Sequence, residues 1–461
     1  MAERQDMVII GAGPGGYVAA IQAGRMGAKV TLIEKAELGG LCLNWGCIPT
    51  KALLASADII ERISQAQEFG VVPAGYSLDL ARAMERKDTV VKQLRAGVET
   101  LVTNAKATIR RGTGRLLPSG NVLLQPKDGG PAEEIESRSV TIATGSTEAR
   151  LNIPGIDQEG ILTSDDMLLL REVPKSLLVI GGGAVGVEFA DMFRRFGSEI
   201  TLVEMMGNLV PLEDREMGVA LRRALERKGI KVLVNSTVSG IEDIDGQKVA
   251  TVVSNGSEQK VTAEKVLVGV GRWPLTEGLG LEELNITMNR RAIAVNEKME
   301  TSRPGIYAIG DVVGGYMLAH VASEEGIVAV KNIMGTPTKV DYHSVPRCIY
   351  TSPEIAAVGM TEEQAQETGH KTKIGRAFFR ASGKGLASGE TEGLVKIISD
   401  ERYGEVLGVH IVGAHATELI GQAVLAIQME STAEDLAHQI QAHPSLSETI
   451  MEAARRIVPV L

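Results

Sequence analysis

Two of the three cysteines in this 461-residue chain, Cys42 and Cys47, stand five positions apart in Gly39-Gly40-Leu41-Cys42-Leu43-Asn44-Trp45-Gly46-Cys47-Ile48-Pro49-Thr50-Lys51. Thiols that close can exchange a pair of electrons as a disulfide opens and shuts. On an ideal helix their Cα atoms would lie about 8.6 Å apart, whereas a disulfide needs less than about 7 Å. The segment is therefore expected to tighten or break between the sulfurs, with Gly46 and Pro49 placed to allow it. A strained, accessible disulfide is easy to reduce, which suits a redox catalyst better than a staple. A structural disulfide closing so small a loop would constrain the unfolded chain little. Zinc needs about four ligands, and no histidine or third cysteine lies nearby, so no metal is expected. Two buried, inert thiols stay open as an alternative. Cys348 stands alone and reads as inert.

The thiol pair directly follows a unit that can hold a nucleotide. Met7-Val8-Ile9-Ile10 reads as a buried strand, followed by Gly11-Ala12-Gly13-Pro14-Gly15-Gly16, a helical run to Met26 and a second strand ending at Glu34. In this arrangement Gly11 allows a tight turn, Gly13 lets backbone approach a pyrophosphate, and Gly16 permits close helix packing. The helix N-terminus faces the phosphates, and Glu34 can accept both ribose hydroxyls. The pattern repeats at Leu177–Ile180, Gly181-Gly182-Gly183-Ala184-Val185-Gly186 and a strand ending at Glu204. First glycine and acid are 23 positions apart in both copies. Two dinucleotides are expected.

The first copy closes at Ala143-Thr144-Gly145 and the second at Val268-Gly269-Val270-Gly271. The excess length lies in the first, where the cysteine segment and a long helix, roughly residues 80–106, are inserted. That unit should hold a tightly bound cofactor, and the second one that comes and goes. A disulfide moves electrons through sulfur while nicotinamide takes a hydride, and a flavin couples the two. Gly310-Asp311, on a turn after an apolar strand, suits the polyol chain of FAD, with a helix cap or turn aspartate as the alternative. Glu204 is followed by Met205-Met206-Gly207-Asn208-Leu209-Val210, without the arginine that would greet a 2′-phosphate, so NAD is expected rather than NADP.

Composition sets the frame. The length suggests about three domains, and 52 glycines imply many tight turns. A formal net charge of -10 argues against nucleic acid or an anionic membrane as the main partner. No signal-peptide core opens the chain, and no apolar stretch is long enough to span a membrane. A cytoplasmic location follows, where a persistent disulfide is usually catalytic.

With these motifs in this order, and with His443-Pro444-Ser445-Leu446-Ser447-Glu448 near the end, the sequence resembles the pyridine nucleotide–disulfide oxidoreductases over essentially its whole length. The resemblance implies an α/β fold: two Rossmann-like dinucleotide-binding domains plus an α+β C-terminal dimerisation domain. It implies an FAD-binding domain over residues 1–146 and an NAD-binding domain over 147–272. A central segment, 273–342, completes the first, and an interface domain over 343–461 forms a homodimer. By the same resemblance, Cys42 and Cys47 form the redox-active disulfide. Cys42 is the thiol that meets the substrate, and Cys47 the one against the flavin. Lys51 and Glu188 are the ion pair beside the flavin ring, Ala319 joins the FAD site, and Gly271 joins the NAD site. His443 reaches across the dimer as the base, oriented by Glu448.

Chemistry supports His443 separately. Free thiols at neutral pH are mostly protonated, and an imidazole can take a proton and stabilise the thiolate left behind. Among seven histidines only His443 has a carboxylate nearby in an ordered motif; His320 and His415 read as structural. Ser445-x-x-Glu448 also reads as a capping box opening the last helix, and Glu188 sits early in a helix where its charge is favoured in any case. The Pro444-Ser445-Leu446-Ser447 motif leans to the branch that oxidises protein-bound dihydrolipoamide with NAD, whose partners are lipoyl domains of acyltransferases or of the glycine-cleavage carrier. Another NAD(P)H-dependent disulfide reductase is the nearest rival. A non-catalytic flavoprotein subunit, the rival from a different class, would be expected to lack one of Cys42, Cys47 and His443.

Overall fold

The structure, a computed structural model, describes residues 4–458. They form two compact units. The first comprises the residues up to Ser56, Asp79–Ala149 and Gly271–Val340; the second comprises Ala57–Leu78, Arg150–Val270 and the chain from Asp341 onward.

The first unit is built on a seven-stranded sheet. Its strands are β1 (Gln5–Ile10), β2 (Val30–Glu34), β3 (Thr108–Leu116), β4 (Val122–Pro126), β5 (Glu133–Ile135), β6 (Ser137–Ile142) and β19 (Ile306–Ala308), in the order β19-β6-β1-β2-β3-β4-β5. The half from β19 to β3 is parallel, and β3 to β5 form an antiparallel extension. A parallel strand covered on both faces reads as a continuous apolar run, and Met7 to Ile10 are all buried. Alternate residues serve different cores. Met7 and Ile9 pack with Leu32, Ala19 and Val98 on one face, while Val8 and Ile10 pack with Ile33, Val140 and Leu116 on the other. Helices α1 (Pro14–Arg25), α2 (Gly40–Trp45), the start of α3 (Cys47–Gln65), α4 (Leu80–Asn104) and α8 (Ala319–Ile333) belong here. The expected helix over 80–106 is α4. Asp79 caps it, accepting from the Arg82 amide, and Met84, Val91, Val98 and Val102 form its buried stripe. Short strands β7 (Ser146–Glu148) with β16 (Arg272–Pro274), and β17 (Met288–Asn289) with β18 (Ala292–Ile293), complete the unit.

The second unit repeats the parallel motif and adds an antiparallel layer. Its five-stranded parallel sheet consists of β8 (Ile161–Leu162), β9 (Ser176–Ile180), β10 (Glu199–Val203), β11 (Lys231–Leu233) and β15 (Lys265–Val268), in the order β11-β10-β9-β15-β8. It carries helices α5 (Ser164–Met167), α6 (Ala184–Phe196) and α7 (Arg215–Arg227), and an antiparallel meander β12 (Ser236–Ile244), β13 (Gln247–Ser254), β14 (Ser257–Ala263). The C-terminal part is an antiparallel sheet of β20 (Arg347–Ile349), β21 (Glu354–Gly359), β22 (Thr372–Phe378), β23 (Gly393–Asp400) and β24 (Val406–Gly413), in the order β20-β21-β24-β23-β22. With it go α9 (Glu362–Glu367), α10 (Gly383–Ser388), α11 (Ala416–Gln428), α12 (Ala433–His438) and α13 (Glu448–Arg455). The expected α/β fold with an α+β C-terminal domain is therefore present.

A buried ionic cluster ties α7 to this C-terminal sheet. Lys396 on β23 is 2% exposed, and its Nζ donates to both oxygens of Asp214, at 3.0 and 2.9 Å, and meets Glu216 and Glu362. Arg376 pairs with Glu216, and Arg347 with Glu213. His410, fully buried beside Asp214, donates through Nε2 to the Met360 carbonyl at 2.8 Å. Among the described residues no helix is long and apolar enough to cross a membrane.

Candidate active site

The two glycine turns share one scheme. In the first, a Cβ on Gly11 would sit 2.3 Å from the Ala143 carbonyl oxygen, and one on Gly16 only 1.9 Å from that of Gly11. In the second, Gly181 meets Gly269 oxygen at 2.4 Å and Gly186 meets Gly181 oxygen at 1.8 Å. The outer glycines are therefore demanded by the chain itself. The middle ones are not: a Cβ on Gly183 would meet nothing within 4 Å, and one on Gly13 only the Gly40 Cα at 4.0 Å. Both caps, Gly13 and Gly183, leave the first amides of α1 and α6 without a side-chain acceptor. Open space over a middle glycine, facing amides at a helix N-terminus, is what a pyrophosphate requires. The residues present fit two dinucleotides.

The acids do something the sequence did not disclose. Glu34 Oε2 accepts from the Ala12 amide and Oε1 from that of Ala36, both at 2.7 Å. Glu204 does the same with Gly182 and Met206, both at 2.6 Å. Each carboxylate is buried and already oriented by its own turn, with lone pairs left for a ribose. The turns are closed from behind by β6 and β15, where Ala143 and Gly269 donate to Ile10 and Ile180 at 2.8 Å. Thr144 Oγ1 donates to the Leu275 carbonyl, and Gly145 and Gly271 both have positive φ with open space at the Cβ position.

The cysteine segment breaks where the sulfur geometry demanded. Helix α2 ends at Trp45, Gly46 takes φ -135° and ψ -109°, and α3 starts at Cys47 with Pro49 in its first turn. Half-buried Cys42 and exposed Cys47 are present as thiols. The Cys42 thiol is hydrogen-bonded to the Cys47 sulfur, which holds its pKa far above the usual thiol range; burial and the neighbouring Cys47 charge add to this, while Lys51 pulls the other way. Asn44, between the cysteines, is buried and fully engaged. Its Nδ2 donates to the Leu38 and Gly40 carbonyls at 2.9 and 2.8 Å, and its Oδ1 accepts from Arg95 Nε and Nη2 at 3.0 and 2.7 Å.

Gly310 and Asp311 open a short 3₁₀ turn after β19. Asp311 accepts from Ser146 Oγ, which in turn accepts from Arg272 Nε at 2.9 Å. The Gly310 amide donates at 2.6 Å to Glu325, a buried acid of α8 seven residues into the helix that Ala319 begins. Glu325, Asn44 and Arg95 carried no local signal in the sequence.

In the second unit Glu188 is buried on α6 and accepts from the Tyr350 amide at 2.9 Å; one turn on, Asp191 accepts from that of Ser352 at 2.9 Å and pairs with Arg195 and Lys228. Lys51 lies in the first unit and Glu188 in the second. His443 Nδ1 lies 2.9 Å from Glu448 Oε1, and Glu448 Oε2 accepts from the Ser445 amide at 2.9 Å. The amide bond first, then the imidazole, holds the Glu448 carboxyl below its ordinary range. Only half of the expected capping box forms. Glu448 reaches back to Ser445, but α13 starts at Glu448 itself with Ser447 as its cap, so the Ser445 hydroxyl caps nothing and has no hydrogen-bond partner.

Residues 5–326 match the family model for pyridine nucleotide–disulphide oxidoreductases, and residues 345–454 match that family's dimerisation domain, so the protein forms a homodimer. A dihydrolipoyl dehydrogenase of Bacillus subtilis is 42% identical over 98% of both chains. That of Thermus scotoductus is 43% identical over 98% of this chain and 97% of its own, and the mitochondrial enzyme of Pisum sativum is 41% identical over 98% and 91%. Two solved structures share the fold at 28% identity, each covering 98% of this chain and 99% of the other. They are LpdA from Mycobacterium tuberculosis, with TM-score 0.91, and a copper(II) complex of the HOCl-induced flavoprotein disulfide reductase of Escherichia coli, with TM-score 0.87. Members of this family use FAD and NAD, the two dinucleotides for which the matched glycine turns are shaped. The chain belongs to the pyridine nucleotide–disulphide oxidoreductases.

Proposed function

We infer that this protein is a flavoprotein dihydrolipoyl dehydrogenase, oxidising protein-bound dihydrolipoamide to lipoamide with reduction of NAD. The observation that carries the reading is the hydrogen-bonded Cys42–Cys47 pair beside Lys51, set on the two helices that follow the first of two matched dinucleotide-binding units. FAD, when bound, supplies a group that trades an electron pair with thiols on one side and with a nicotinamide, as hydride, on the other.

Gly11, Gly13, Gly16 and Glu34 would hold the FAD pyrophosphate and ribose, with Ala143, Thr144, Gly145, Gly310, Asp311 and Ala319 along the rest of the cofactor. Gly181, Gly183, Gly186, Glu188, Glu204 and Gly271 would hold NAD. The Glu204 carboxylate repels a 2′-phosphate, which favours NAD over NADP. Lys51 lies near enough to Cys42 to favour its thiolate.

A substrate thiolate attacks Sγ of Cys42 in the Cys42–Cys47 disulfide, and His443 of the partner subunit takes the substrate's proton. Because Nδ1 is committed to Glu448, Nε2 is the atom that receives it. The substrate then closes its own disulfide, leaving two cysteine sulfurs that carry its two electrons. The two thiols then titrate as a pair, sharing a hydrogen bond. The partners in this reading are lipoyl domains of acyltransferase or glycine-cleavage carrier proteins, and the setting is the cytoplasm.

The test is anaerobic addition of dihydrolipoamide to the yellow protein, followed by NAD. A long-wavelength charge-transfer band, then NADH, is the expected sequence. A flavin that stays oxidised with dihydrolipoamide yet is reduced by NADH would remove lipoamide as the substrate and leave another disulfide in its place.

A further inference from the structure

Helix α4 holds both sides of the break between the cysteines. From its C-terminal half, Arg95 grips Asn44 of α2 with two nitrogens and pairs through Nη1 with Glu37, at 3.1 Å, just before that helix. From its N-terminal half, Arg86 Nη1 donates to the Ala52 carbonyl of α3 at 3.1 Å. Asn44 passes the hold on, because its amide binds Leu38 and Gly40, and Gly39 between them donates to the Ala12 carbonyl of the first glycine turn at 2.8 Å. The nucleotide turn, the Cys42 helix and α4 thus form one hydrogen-bonded chain. Gly46 is the break between the two helices, its carbonyl held on the α3 side by the Thr50 amide and hydroxyl. A Cβ on Gly46 would crowd the Leu41 oxygen at 3.2 Å.

We propose that Arg95 is a positioning residue for the dithiol–disulfide step: with Arg86 it makes α4 a splint across the Gly46 break, so that Cys42 meets Cys47 and the incoming thiolate in one fixed geometry. The proposal rests on the disulfide-oxidoreductase reading of Cys42 and Cys47. In the step served, a substrate dithiol gives two electrons and two protons to the cysteine disulfide. The substrate S–S bond forms as the Cys42–Cys47 bond breaks. Sulfur atoms must close to about 2.05 Å in one state and separate in the other. Without the splint, α2 is free to drift at Gly46 and the sulfur trajectories lose their alignment. Arg95 touches no reacting atom; it acts through Asn44. A lysine would keep the charge opposite Glu37 but could not supply the forked grip on one amide oxygen.

The experiment uses the flavin-loaded full-length enzyme and reads its two halves apart. One assay is reduction of NAD by free dihydrolipoamide, which needs the cysteines. The other is oxidation of NADH by ferricyanide, which takes electrons from the flavin without them. Arg95→Ala is expected to slow the first about tenfold, as small misplacements of reacting groups do, and to leave the second at the wild-type rate. Arg95→Lys should fall between, and the charge-transfer band of the two-electron-reduced Arg95→Ala enzyme should be weakened. Equal dihydrolipoamide rates in variant and wild type would overturn the proposal, and so would parallel loss of both assays in both variants, which would make Arg95 a purely structural residue. Failure of the wild type itself to oxidise dihydrolipoamide would instead strike the functional reading above; the same comparison, run with whichever disulfide the wild type reduces, then decides Arg95.

Discussion

In the first nucleotide turn, the residue that donates to the carbonyl behind the middle glycine is Gly39, at φ +93°; in the second it is Val210, at φ +46°. The bond is 2.8 Å in both, to Ala12 and to Gly182. The left-handed backbone is thus imposed by the cradle, and the side chain is chosen by the segment next along the chain. After Gly39 comes the cysteine helix, and a Cβ there would strike Leu43 at 2.6 Å. After Val210 comes Asp214, the cap of α7 and the centre of the buried ionic cluster. A β-branched residue in this conformation costs about 1–2 kcal/mol, and burying its side chain offsets a similar amount. One turn hands the chain to chemistry and the other to a structural anchor.

The sharpest separation of the two is chemical. Cys42→Ser should cut dihydrolipoamide oxidation about 10³-fold or more, as loss of a nucleophile does, while NADH oxidation by ferricyanide continues through the second turn. If both fail together, the cysteine segment is not a separable attachment to the first turn. Next in size is the anchor. Lys396→Met leaves Asp214, Glu216 and Glu362 without the ammonium that joins all three, and removing one partner of a buried pair costs about 3–5 kcal/mol. Chemical denaturation followed by the far-UV signal would read it; a change below about 1 kcal/mol would mean that packing and not charge holds α7.

The cluster also carries a pH signature. Burial first of all, together with Lys396 and Arg347 and against the pull of Asp214, pushes the His410 imidazole down to about 4. The unfolded chain therefore takes up a proton near pH 6.5 that the folded one refuses, so stability falls as pH drops from 6.5 towards 4. Between pH 7 and 5 this amounts to about 2 kcal/mol. His410→Gln should flatten that slope in denaturation curves at the two pH values, and an unchanged slope would locate the proton uptake elsewhere. The smallest effect belongs to the strained residue itself. Val210→Gly should shift stability by less than about 1 kcal/mol, since relieved strain and lost burial oppose each other. A larger loss, seen as a lower melting temperature, would show that the valine side chain is the main plug of the second turn.

The sequence disclosed what is local or periodic. Glycine spacing, the acid at a fixed distance, the run of α4 and the break near Gly46 all derive from short-range geometry. The second employment of Glu34 and Glu204 was hidden, because an acid's reach to its own turn depends on a strand's end folding beside a glycine. The Asn44–Arg95 hold joins residues 51 positions apart and the Asp214–Lys396 pair residues 182 apart; neither has a signature along the chain. The capping box was half legible. Ser445 and Glu448 have the right spacing, but the helix starts two residues later than the motif implies, so only the carboxylate arm is used.

Strand order carries one more consequence, for synthesis. β6 is flanked by β1 and by β19, and β19 is made only after the whole of the β8–β15 segment has left the ribosome. At about 5–20 residues per second, the wait between Ile142 and Ile306 lasts on the order of ten to thirty seconds. During it the second parallel sheet, whose strands are all already present, can complete itself, while the first keeps an open edge along Val140 to Ile142. The nascent chain therefore completes its second parallel sheet before its first, and the edge of β6 is the place where a chaperone would be needed or a stalled chain would aggregate.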